Sequence, residues 1–143
     1  MLTLTSFERS LMDALLVGGD EILARLRAQY AVGSVKAREA YDSGADVLFD
    51  VPASAHVVDP SNFQIGDIQL RLVNGPSPVD AMIFVKNGRL QSLEYYFCGG
   101  EAWPAQPVVE TAHYFGAREF SEIGDALFQT RDLAFALNAV KRT

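Results

Sequence analysis

The sequence predicts an α+β fold: an N-terminal helical hairpin packed on an antiparallel β-sheet of about 5–6 strands, with a C-terminal helix. Three observations predict it. Apolar residues recur at helical spacing up to Tyr30, strand-like alternation takes over after Gly33, and Asn87-Gly88 lies between two apolar runs as the strongest short-range hairpin signal. The 143 residues make about one domain, 1–143, with enough chain to bury one real hydrophobic core. An apolar fraction of 49% and a charged fraction of 21% are those of a globular protein rather than a disordered one.

Thr5 and Glu8 stand at capping-box spacing, so the first helix starts there. Phe7, Leu11, Met12, Leu15 and Leu16 form its apolar stripe, and Gly18-Gly19 ends it. Asp20 is placed to cap a second helix, whose stripe is Ile22, Leu23, Leu26 and Tyr30 and whose end is Gly33. Such a hairpin must lay its stripes on something.

Val35 to Tyr41 and Val47 to Val51 read as two strands joined across Asp42-Ser43-Gly44. Pro52 ends the second, and a surface loop runs on through His56, Pro60 and Asn62. In the strand from Ile65 to Val73, Ile68, Leu70 and Leu72 alternate with Asp67, Gln69 and Arg71. Asn74 to Pro78 cannot stay in a sheet. The hairpin from Ala81 to Phe97 has two possible registers. A two-residue turn sets Lys86 opposite Arg89, a like-charge pair. A three-residue turn with Gly88 in the left-handed region sets Phe84 across from Leu90, and the charge argument favours this second register. Met82, Ile83, Phe84, Val85, Leu90 and Leu93 face both ways, which suggests a central pair covered on both sides. Gly99-Gly100 and Trp103-Pro104 break the sheet, and Val108 to Phe115 forms one more strand. Ser121 to Lys141 reads as helix broken near Thr130, with Ile123, Leu127, Leu133, Leu137 and Val140 on its apolar side.

Few chemistries survive the residue inventory. Cys98 is the single cysteine, so no intrachain disulfide forms, and it reads as a small apolar residue near a strand end. The N-terminus lacks a signal-peptide pattern and no run of 18 apolar residues exists, which together imply a protein of the reducing cytoplasm, without a membrane span. His56 and His113 lack metal-ligand spacing, so neither a metal nor a cofactor is expected. Ser54, His56 and Asp59 share one loop and cannot stack as a triad. Glu94, beside Tyr95 and Tyr96, is the one tempting acid–base residue, and a solvent-facing role explains it better. The glycine pairs lack the rest of a phosphate-binding motif. The chain therefore reads as non-enzymatic.

Charge carries more information. Eighteen acids against twelve bases give a net charge of −6, which argues against nucleic acid as a partner. From Glu39 to Leu70 six acids occur with no Lys or Arg, and Leu90 to Ala117 repeats the pattern with Glu94, Glu101 and Glu110. Such windows serve either as solvated loops and strand faces or as an acidic surface for a basic protein. On the second reading Asp42, Asp46, Asp50 and Glu101 are the contact residues, with Trp103 as an anchor. Tyr95, Tyr96, Phe97 and Trp103 either belong to the core or line a pocket.

Several segments together resemble a widespread family of small uncharacterised bacterial cytosolic proteins. Arg38-Glu39, Gly44, Phe49 and Val51-Pro52 are similar to its R-E-x-T-G-x-G-F-F-x-x-F-x-V-P stretch, and Ile65 to Ile68 to its G-D-V. Asp80 to Pro104 is similar to its G-F-x-L-F-V-K-D-G-x-L-x-x-L-E-G-Y-x-Y-x-E-x-W-P, and Leu4 to Asp20 to its opening. The similarity spans about 2–115 and leaves 118–143 as an extension. Ala45-Asp46 replaces the family's aromatic pair after Gly44, and Tyr95 replaces its glycine after the hairpin glutamate. Some members are candidate immunity partners of bacterial toxins. The resemblance therefore implies an immunity protein that neutralises a toxin, and the acidic windows, small size and lack of chemistry point to a basic, nuclease-like toxin domain. The alternative is a small-molecule binding domain with an aromatic-lined pocket between helices and sheet.

Overall fold

The computed structural model describes residues 2–115, 120–122 and 131–137. Helix α1 (Ser6–Leu16) starts at the expected capping box: the Glu8 amide donates to Thr5 Oγ1 at 3.1 Å and the Thr5 amide to Glu8 Oε1 at 2.9 Å. Helix α2 (Glu21–Val32) is capped by Asp20, whose carboxylate accepts the Ile22 amide at 2.8 Å. Six strands of seven or more residues follow: β1 (Ser34–Tyr41), β2 (Gly44–Asp50), β3 (Phe63–Leu72), β4 (Val79–Lys86), β5 (Arg89–Phe97) and β6 (Val109–Phe115). The three-residue β7 (Phe120–Glu122) and the four-residue α3 (Leu133–Ala136) complete the described elements.

All seven strands form one antiparallel sheet in the order β1-β2-β5-β4-β3-β6-β7, so the α+β expectation holds with one short strand added. The helix expected from Ser121 is corrected at its start, because Ser121 and Glu122 pair with Tyr114 and His113 as strand. Only Leu133–Ala136 is helical in the described tail. Leu137 is buried just beyond it, and Ile123, Leu127 and Val140 lie outside the described residues.

α1, α2 and α3 lie on one face of the sheet. Leu11, Leu15, Leu23 and Leu26 meet Val47, Ile83, Leu93, Val79 and Leu70 there in a single buried cluster. Along β4, Val79, Ala81, Ile83 and Val85 are buried while Asp80, Met82 and Phe84 are only partly so. The central pair is thus covered by helices on one side alone among the described residues, which corrects the expectation of two covered faces.

The hairpin register is also corrected. Asn87 and Gly88 both have positive φ, 54° and 75°, the signature of a two-residue type I′ turn. Lys86 pairs with Arg89 and Val85 with Leu90, and a bulge then puts Phe84 opposite Ser92 rather than Leu90. The like-charge objection fails because the Arg89 side chain leaves the pair and donates to the Ala53 carbonyl at 3.1 Å. Gln29 of α2, 1% exposed, clamps this turn: its amide donates to the carbonyls of Gly88 and His56, and its oxygen accepts the Leu90 amide at 2.8 Å.

A second bulge, between Ile65 and Ile68 of β3, turns Asp67 inward, against the alternation expected of it. Asp67 is 2% exposed and receives Arg131 bidentately, Nε to Oδ2 at 2.9 Å and Nη2 to Oδ1 at 2.7 Å. Arg131 Nη1 also donates to the Leu15 and Val17 carbonyls at the end of α1, and its guanidinium lies 5.4 Å from the Tyr114 ring centre. One arginine thereby seats the described tail against α1, β3 and β6.

Candidate functional site: the open face of the sheet

Register decides which side chains share the face turned away from the helices. Residues paired across strands point the same way, with Cβ atoms about 5 Å apart. Glu39 pairs with Asp46, Asp46 with Glu94, and Glu94 with Met82, so three carboxylates from three adjacent strands stand in one row. Two residues along, Tyr41, Gly44, Tyr96, Asp80, Gln69 and His113 make the neighbouring row. Gly44 is required at its place: a Cβ there would collide with the Tyr95 carbonyl across the strand pair.

The acid row is electrostatically strained. Desolvation, then repulsion from Glu39, raises the Asp46 carboxyl above its ordinary range. Desolvation, then Asp46, does the same to Glu94. Among the described residues no ion pair reaches Glu39, Asp46 or Glu94, and Asp46 Oδ1 is buried with no hydrogen-bond partner. Desolvation and the two acids Asp46 and Glu94 also push the Tyr41 hydroxyl up. In the next row Asp80 accepts Gln69 Nε2 at 2.9 Å. Burial and Asp80 raise the Cys98 thiol to about 11, so it stays protonated and a poor nucleophile near neutral pH.

The five residues singled out in the sequence divide among three places. Asp46 and Asp50 both lie on the open face, Asp46 in the middle of β2 and Asp50, exposed, at its end. Asp42 sits in the β1–β2 turn, exposed, and its carbonyl accepts the Trp103 amide at 2.8 Å. Glu101, in the loop after β5, accepts the Ser77 hydroxyl at 2.8 Å. Trp103 turns to the helix side, with its ring centre 5.0 Å from Tyr95, 5.1 Å from Phe97 and 5.4 Å from Phe7. Tyr95 and Phe97 are buried in the core, whereas Tyr96 faces the other way, onto the acidic rows.

A corner cavity of about 600 Å³ opens on the helix side, lined by the first turn of α1, the β1–β2 turn and the segment from Trp103 to Pro107. Glu8, 0% exposed, accepts Tyr95 Oη at 2.8 Å, Arg38 Nε at 2.9 Å and a second Arg38 nitrogen. Burial opposes ionisation of Glu8, but together the bonds from Arg38, the Thr5 amide and Tyr95 outweigh it and hold its carboxyl below the ordinary range. Sequence reasoning found Glu8 as a cap and missed this second use. Its partners Arg38 and Tyr95 are distant in the chain, and only the pairing of β1, β2 and β5 brings them together. Glu39, Glu94, Asp80 and Tyr96 as one surface were missed for the same reason, although the alternation Glu94-Tyr95-Tyr96 carried the signal.

No family model, curated protein or solved structure matches this chain.

Proposed function

We propose that this chain is a non-enzymatic, protein-binding module whose open sheet face docks a basic protein partner. The supporting observation is the row Glu39–Asp46–Glu94. Three carboxylates are held opposite one another without a neutralising base among the described residues, at a cost to the fold. A surface that keeps such repulsion fits a role in which the opposing charge arrives on a partner. Tyr96 and Tyr41 beside the acids supply the amphipathic contact area that interface centres use. The acidic surface suits a basic, nuclease-like toxin domain as that partner, and the family resemblance suits an immunity role, which on this reading is exercised in the cytoplasm. No helix among the described residues is long and apolar enough to cross a membrane.

The test is capture of the partner with tagged protein from the source cells, identification of the captured protein, and titration of the purified pair. Affinity is expected to fall steeply between ~50 and ~500 mM salt, and to fall again with Asp46→Asn or Glu94→Gln. An affinity indifferent to both salt and these substitutions refutes the reading. A second reading, a small organic ligand, is favoured by the corner cavity, whose volume lies within the range of ligand pockets. A melting temperature raised by a member of a metabolite library would support it.

A further inference from the structure

The corner cavity adjoins the open face at Tyr41 and Asp42, and its lining is specific. Phe7, Tyr95 and Trp103 supply aromatic wall. At its floor the Glu8 carboxylate and the Arg38 guanidinium neutralise each other, and Arg38 is spent further on the Thr3 carbonyl at 2.8 Å. That leaves Asp42 as the uncompensated charge of the lining. It is exposed and makes no ion pair among the described residues. The bond from the Trp103 amide to the Asp42 carbonyl holds the backbones of these two lining residues together.

A rigid aromatic wall beside a lone carboxylate selects a cation, and a planar one best. A guanidinium stacks on aromatic faces, pairs bidentately with carboxylate and sheds water more readily than an ammonium. We propose that this cavity receives an arginine side chain of the protein partner, its guanidinium against the Trp103 wall and paired with Asp42. The proposal rests on the docking reading and adds where the partner is anchored. Acids of the open face steer the basic surface, and the cavity takes one residue of it.

Trp103 is the only tryptophan in the chain, so its fluorescence reports on the cavity directly. The probe is N-acetyl-arginine amide, titrated into the full-length protein at low salt. A saturable change with a dissociation constant of about 1–10 mM is expected. The neutral isostere N-acetyl-citrulline amide and the Asp42→Asn variant should each bind about tenfold more weakly, as for loss of one charge-assisted contact. Glu110→Gln, exposed on β6, should leave the affinity unchanged. Far-ultraviolet circular dichroism identical to the parent shows that Asp42→Asn has folded. Equal binding of the arginine and citrulline probes, or of the parent and Asp42→Asn, overturns the proposal, as does the absence of saturation. Should the probe fail while partner capture keeps its salt dependence, the anchor falls and the docking face stands. Should the probe bind while the captured partner ignores salt, the docking face falls instead.

Discussion

Asp46→Asn should make the protein more stable. Asp46 stands between Glu39 on β1 and Glu94 on β5, so the substitution removes two like-charge cross-strand neighbours at once. Each such pair costs between a few tenths and ~1 kcal/mol. Asp46 and Glu94 are only partly buried and Glu39 is exposed, so solvent screening keeps the effect low in that range. The expected gain at pH 7 is roughly 0.3–0.8 kcal/mol. The sign with pH follows from the raised carboxyl of Asp46. Folding then favours the protonated acid, so the stability this group contributes is full below its unfolded pKa of about 3.9 and is lost as pH rises through the higher folded value. Asparagine carries no such loss, so the advantage of the variant should be full at pH 7 and vanish below about pH 3.9. Urea unfolding at both pH values measures it. A variant less stable than the parent at pH 7 would refute the reasoning, since the repulsion would then be outweighed by contacts the carboxylate makes.

Arg131→Met should be among the most damaging substitutions in the chain. It strands the Asp67 carboxylate, 2% exposed, and frees the Leu15 and Val17 carbonyls. Loss of one partner of a buried pair costs ~3–5 kcal/mol, and the double variant with Asp67→Asn should recover much of it in urea unfolding. A loss under ~1 kcal/mol would mean that the tail contributes little to this corner. Glu8→Gln should flatten the acid limb of the stability profile. The lowered carboxyl of Glu8 contributes stability above its unfolded pKa of about 4.3 that disappears as pH falls through the folded value. Denaturant midpoints across that range measure the difference between the parent and the variant.

Local signals in the sequence were legible wherever the physics is local. The Thr5–Glu8 box, the Asp20 cap and the position of the Asn87-Gly88 turn depend on two to four residues, and all three stand where the sequence puts them, although the turn is of the two-residue kind. What failed needed a partner distant in sequence. Asp67 reads as the solvent side of an alternating strand until the bulge opposite Met82 turns it inward, and Arg131, 64 residues away, is what makes that turn tolerable. The hairpin register was misjudged because Arg89 has an escape, the Ala53 carbonyl, that no local pattern shows. Of the candidate contacts, Asp46 and Asp50 share a face because alternation along one strand guarantees it. Asp42 and Trp103 meet through a backbone bond across 61 residues, beyond the reach of any motif.

The seating of Arg131 also orders events in time. Asp67 emerges from the ribosome 64 residues ahead of Arg131, yet in the folded protein it turns inward from β3 to meet that arginine at the end of α1. A nascent chain that has already made both hairpins must keep that carboxylate wet or protonated, and hence that corner open, until Arg131 has been synthesised. Closure of that corner is thus coupled to the arrival of residue 131. Chains ending before residue 131 would leave the end of α1 unlatched, and such loosened segments are what quality-control proteases act on.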